Sequence, residues 1–146
     1  MSTIVTLRDA IKSKLETVIQ GDGTSTISIV YTYAESKPEG YPYAYILYKG
    51  DNSETLSNTY DRVIYTFEIT LVQEKIEELK GRANAEATAM NMAEAIAEAF
   101  RADNNLSTAG VLKTRPIKTE KIYVDNSTRI ALKILLEIET IEQIIY

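Results

Sequence analysis

Carboxylates are the side chains in this sequence best supplied for chemistry. Glu77-Glu78, the pair Glu94 and Glu98, and the series Glu137, Glu139 and Glu142 offer acid–base pairs or oxygen ligands for a hard cation. Glu94 and Glu98 are four residues apart and share one helical face. A solvated helix face has the same spacing, and no calcium loop of alternating acidic residues ending in glutamate is present. Glu137 and Glu139 alternate on a strand whose other face is apolar, so solvent or an interface accounts for them. Nothing here organises the carboxylates into a site, and the chain has no histidine, cysteine or tryptophan. It therefore lacks the usual general base near neutral pH, the thiol nucleophile, and the common nitrogen and sulfur metal ligands.

The remaining chemical motifs are equally thin. Gly21-Asp22-Gly23-Thr24-Ser25-Thr26 joins a helix to a strand, the reverse of a phosphate loop, and no lysine follows its last glycine. No serine sits in a nucleophile elbow, and nothing marks a serine–lysine dyad. The expectation is a non-enzymatic chain with no cofactor and no metal. Ten tyrosines are the main aromatic resource. Tyr41, Tyr43 and Tyr45 share one side of a strand, and subunit contact or core suits them better than base stacking, because basic neighbours are sparse. Lys113, Arg115, Lys118 and Lys121 form the only basic cluster. It suits either a solvated strand face or proximity to passing nucleic acid.

The elements that position these residues follow from periodicity. Ile4, Leu7, Ile11, Leu15 and Val18 recur at helical spacing and predict a helix from about Thr3 to Gln20, stopped by Gly21-Asp22-Gly23. The period then becomes two. Thr26–Tyr33 reads as a strand with Ile27, Ile29, Tyr31 and Tyr33 on one face and a wetter face of Ser28, Val30 and Thr32. Tyr41–Tyr48 is apolar on both faces, with Pro42 marking an edge or a strand start. Gly50–Thr59 reads as a polar loop, too long for a tight hairpin turn. Tyr60–Gln73 is a strand with Val63, Tyr65, Phe67, Ile69 and Leu71 inward.

Glu74 to Arg82 is charged and fits either a loop or a helix. Asn84 then caps an alanine-rich helix whose stripe is Ala85, Ala89, Met92, Ile96 and Phe100, ending near Asp103-Asn104-Asn105. Val111–Val124, interrupted by Pro116, is an irregular strand best defined over Lys118–Val124. A turn at Asp125-Asn126-Ser127 leads to Thr128–Ile138, with Ile130, Leu132, Ile134, Leu136 and Ile138 inward. The chain stays apolar to its end at Ile141, Ile144, Ile145 and Tyr146, where most termini are polar. The order of elements defines an α+β fold: a mostly antiparallel sheet, an N-terminal and a central helix packed on it, and a C-terminal β-hairpin.

Length and charge narrow the class. The 146 residues suit a single domain, 1–146, that needs no disulfide. A net charge of −5 disfavours an open DNA-binding face. The N-terminus has no secretory pattern, and no run approaches the roughly 20 apolar residues of a membrane span, so no membrane partner is expected. Asn105-Leu106-Ser107 and Asn126-Ser127-Thr128 match the glycosylation pattern but read as loops.

Taken in order, the helix around Thr6-Leu7-Arg8-Asp9-Ala10-Ile11, the strand Tyr41-Pro42-Tyr43-Ala44-Tyr45, the long strand Arg62-Val63-Ile64-Tyr65-Thr66-Phe67-Glu68-Ile69 and the helix Asn91–Phe100 before a terminal hairpin resemble the tail terminator (tail completion) proteins of long-tailed bacteriophages. The resemblance implies a virion structural protein made in the host cytoplasm and carried at the head-proximal end of the tail. It further implies a homo-oligomeric ring, a hexamer in that family, that caps the tail tube, ends its polymerisation and offers a surface to the head. The implied partners are other copies of the chain, the tail tube protein and head–tail connector or neck proteins, with DNA only as the passing genome. Another neck or tail component is the alternative reading. A small non-viral binding module and a carboxylate enzyme lie further off. On either assembly reading, Tyr41, Tyr43, Tyr45, the loop residues Asp51, Asn52, Glu54, Thr55 and Leu56, and the terminal Ile141, Ile144, Ile145 and Tyr146 are the candidate interface.

Overall fold

A computed structural model describes residues 3–17, 27–34, 37–103, 105–106, 108 and 110–143. Among them the order is α1 (Thr3–Glu16), β1 (Ile29–Tyr31), β2 (Tyr43–Thr55), β3 (Tyr60–Lys75), α2 (Arg82–Ala102), β4 (Val111–Val124) and β5 (Arg129–Gln143). The strands form one sheet in the order β1-β2-β3-β5-β4. All neighbours are antiparallel except β1 and β2, which are parallel. Helix α1 lies over β1 and β2, and α2 lies over β4 and β5. The fold is the α+β arrangement expected, and among the described residues no helix is long and apolar enough to cross a membrane.

The core is the layer between the helices and one sheet face. Leu7, Ile11 and Leu15 of α1 are buried there, as are Ala85, Ala89, Met92, Ile96 and Phe100 of α2. They meet Val63, Tyr65, Phe67, Ile69 and Leu71 of β3 and Ile130, Leu132, Ile134, Leu136 and Ile138 of β5, all buried. Each set is a stripe that one repeat distance selects: near 3.6 residues in the helices and two in the strands. The small Ala85 and Ala89 let α2 approach the sheet closely. Helix α2 starts at Gly81, whose φ of 107° few other residues adopt. Asn84 is not the cap expected: it lies inside the first turn, and its amide Nδ2 donates to the Leu79 carbonyl at 2.7 Å.

Three local expectations are corrected. Gly50–Thr59 is mostly strand. Asp51–Thr55 continue β2 against Asp61–Tyr65, and only Leu56–Thr59 turn. Ser57 Oγ closes that turn by accepting the backbone N–H of Thr59 and Tyr60. The segment looks like a loop in sequence because neither face is buried, and polarity reports burial rather than backbone conformation. At its root the pairing shifts between Tyr48 and Gly50, a bulge in which Gly50 takes a φ of 138°. Second, β1 spans only three residues, and Val30, not Ile29 or Tyr33, faces the helices. Its register, Val30↔Ala44 between Ile29↔Tyr43 and Tyr31↔Tyr45, sets that parity. Third, β5 runs past Ile138 through Gln143 and pairs there with Tyr60–Ile64. β4 spans Val111–Val124 with shifts at Val111/Lys113 and Pro116/Lys118, the irregular strand expected, and it pairs from Val111 onward. The expected helix end at 18–20, its glycine stop and the last residues 144–146 lie outside the described residues.

Candidate assembly interfaces

Both helices cover the same side of the sheet, so the opposite side has no second layer among the described residues. Strand parity assigns to this open face Tyr43, Tyr45, Asn52 and Glu54 of β2, Arg62, Ile64 and Thr66 of β3, Glu137 and Glu139 of β5, and Lys113, Arg115 and Lys118 of β4. At one end the tyrosines gather. Tyr43 stacks on Tyr45 at 6.3 Å between ring centroids, meets Tyr41 edge-on at 5.3 Å and Tyr31 at 6.1 Å. The Arg129 guanidinium lies 3.6 Å from the Tyr41 ring centroid and donates to the Gln73 carbonyl at 3.0 Å. Tyr41, Tyr43 and Tyr45 are thus one half-buried cluster, although Tyr41 precedes the strand across a cis bond to Pro42. Burial, followed by the neighbouring Tyr41 and Tyr45, pushes the Tyr43 hydroxyl pKa up.

Further along the face, charges replace aromatics. Arg62 bridges two strands, donating to Glu139 at 2.9 Å and to Glu54 at 3.3 Å. Arg115 pairs with Glu137 at 3.1 Å. The hydrogen bond from Arg62 holds the Glu139 carboxylate below its ordinary pKa of 4.5, outweighing its desolvation, with Lys113 and Arg115 adding to the effect. These pairs are at most partly buried and worth little singly to stability. Their effect is to leave the open face charged and patterned rather than greasy.

The basic cluster is therefore split by the sheet. Lys113, Arg115 and Lys118 point to the open face, whereas Lys121 points to the helix side. There Lys121 donates to Glu86 at 3.1 Å, and Tyr123 donates to the same carboxylate while the Arg82 guanidinium lies 5.1 Å from its ring centroid. Those bonds, Tyr123 first and Lys121 next, lower the Glu86 pKa. Lys121 ties α2 to β4 and does not join the other three. Of the C-terminal candidates only Ile141 lies among the described residues. Ile141 is part of β5, opposite Arg62, and its N–H donates to the Gly110 carbonyl at 3.0 Å. Glu142 turns to the helix side, accepting from Tyr65 at 2.6 Å and from Thr140 at 2.9 Å. Burial first, then the Glu142 bond, pushes the Tyr65 pKa strongly up. Ile144, Ile145 and Tyr146 lie outside the described residues.

The β2–β3 arm carries Asp51, Asn52, Glu54 and Thr55 exposed, with Leu56 at its tip 50% exposed. Two residues went unmarked in the sequence reading. Leu112 and Ile117 are the ones the β4 bulges leave out of the ladder, and both are exposed. Only Pro116 hints at the second bulge, since proline is confined to edges and irregularities of sheets. Among the described residues no group of carboxylates is arranged to hold a metal ion.

No known protein family profile matches the chain, and no curated protein sequence does. Among solved structures it is similar to a chain from the virion of a native gene transfer agent particle, with a TM-score of 0.60 and 14% identity. The likeness covers 97% of this chain and 100% of that one. It establishes a shared fold from end to end.

Proposed function

We propose that this chain is a structural part of a phage-like virion, and specifically a tail terminator: a ring that caps the tail tube, stops its growth and presents a surface to the head. The carrying observation is the end-to-end likeness to a chain that belongs to a virion particle. The arrangement of the surface supports it. Among the described residues one sheet face has no covering layer, an arm projects with an exposed Leu56, and Glu137, Glu139, Tyr43 and Tyr45 are engaged in ion pairs and ring contacts. Binding, not catalysis, is the work such a surface does. No cofactor enters the reading. Its partners are copies of itself, the tube protein and a neck protein.

Light scattering coupled to size exclusion, with and without purified tail tubes, tests it. A ring gives a particle about six times the 16.4 kDa chain, free or on tube ends. A chain that stays monomeric and binds no tube end overturns the proposal. A ring that binds only neck proteins removes the terminator role.

A further inference from the structure

The two edges of the sheet differ in kind. Among the described residues β4 pairs only with β5, and β2 pairs with β1 only at Tyr43–Tyr45, so both β4 and the distal half of β2 carry a free edge. Free edges template pairing with other chains, and proteins blunt them with lysine, proline and bulges. The β4 edge is blunted in all three ways, at Lys113, Pro116 and its two register shifts. Yet each bulge exposes an apolar residue, Leu112 at 48% and Ile117 at 42%. The distal β2 edge has no proline and is acidic, with Asp51 and Glu54 exposed. Basic meets basic if β4 edges approach each other, and acid meets acid for β2. Only the unlike edges suit one another.

The register strengthens this. Across the sheet Asn52, Ile64, Glu139 and Lys113 form one row, and Gly50, Thr66, Glu137 and Arg115 another. Asn52, Glu54, Lys113 and Arg115 all point to the open face. Strands β2 and β4 run in opposite directions, because three antiparallel steps separate them. A second copy rotated about an axis parallel to the strands therefore lays its β2 antiparallel beside β4, the more favourable pairing. Lys113 and Arg115 then stand level with Asn52 and Gly50 of the neighbour, and Glu54 lies one diagonal from Lys113, within reach of long side chains.

We propose that copies of this chain join head to tail through these edges, residues 111–116 of β4 in one copy against the distal half of β2 of the next, with Lys113 and Arg115 on the same face as Glu54 of the arm. The occupant is a second copy, which rests on the ring reading above. The contact is heterologous, so it repeats from copy to copy instead of stopping at a dimer, and it forms a ring when the rotation between copies closes. It gives the basic face of β4 a protein partner in place of nucleic acid.

Two variants test it. Asn52→Lys with Glu54→Lys, and Lys113→Glu with Arg115→Glu, each weaken assembly alone by at least about tenfold in midpoint concentration, while their mixture assembles again as an alternating ring. Because the chain has no cysteine, Asn52→Cys with Lys113→Cys can be oxidised without competing thiols. A ladder of linked copies on a non-reducing gel supports the contact. Wild-type rings with no ladder and unaffected charge variants overturn the edge contact but leave the ring. A wild-type chain that never assembles, even with tubes, overturns both.

Discussion

Replacing Glu142 by alanine separates the two roles open to the C-terminal segment, part of the fold or a free arm. In the structure Glu142 accepts from the Tyr65 hydroxyl at 2.6 Å and from Thr140 at 2.9 Å. Tyr65 is 6% exposed, so its hydroxyl has little access to water once the carboxylate is gone. A hydrogen bond to a charged group is worth roughly 1.5–3 kcal/mol, and the half-exposed carboxylate places this one near the lower end, about 1.5 kcal/mol. For a chain of this size that lowers Tm by about 3–6 °C. Removing both partners avoids the orphaned hydroxyl, so Tyr65→Phe with Glu142→Ala is expected to be more stable than Glu142→Ala alone. Urea unfolding of wild type, both single variants and the double variant measures this cycle. A coupling within error of zero, with Glu142→Ala as stable as wild type, would refute the placement of this segment in the sheet. The same reasoning changes the meaning of a truncation at 140. It removes paired strand as well as the apolar tail, so lost assembly by itself would not show that the tail reaches a neighbour.

Other outcomes follow from the core and the charges. Phe67→Ala empties the largest fully buried position of β3 and is expected to cost about 3–5 kcal/mol, read as a lower urea midpoint; a cost under about 1 kcal/mol would contradict the packing. Glu139 and Glu86 have pKa values held below 4.5 in the fold, by Arg62 and by Tyr123 with Lys121. Their contribution is complete above the unfolded value and is lost as pH falls through the folded one. Arg62→Met is therefore expected to flatten the fall in stability below pH 4.5, and an unchanged acid profile would argue against that ion pair. Tyr65 has the opposite sign: its raised pKa costs stability above its ordinary value of 10.0, so Tyr65→Phe is expected to remove part of the alkaline loss.

How much of this was legible in the sequence depends on burial. The β3 stripe from Val63 to Leu71 and the α2 stripe from Ala85 to Phe100 were read residue by residue, because one face of each is sealed and a slip would put it in water. The arm from Asp51 to Thr55 was not, because both faces are wet and nothing alternates. β1 failed for a different reason: over three residues, period two has no length in which to declare its phase. The basic residues show how one bulge defeats counting. Steps of two group Lys113, Arg115 and Lys121 and isolate Lys118, but Ile117 drops out of the ladder, so Lys118 joins the first two and Lys121 crosses to Glu86. A spacing of two groups Tyr41, Tyr43 and Tyr45 in the sequence, and their rings do meet, although Tyr41 precedes β2. Their partner Arg129, distant in sequence, left no local trace.

The central claim is that this chain acts by ending a tube. Electron microscopy of tail tube protein polymerising in the presence of the gold-labelled chain tests it most directly. The account predicts one label cluster at a single end of each tube, and shorter tubes as the chain is added. Label spread along the tubes, or tubes of unchanged length with bare ends, would contradict it.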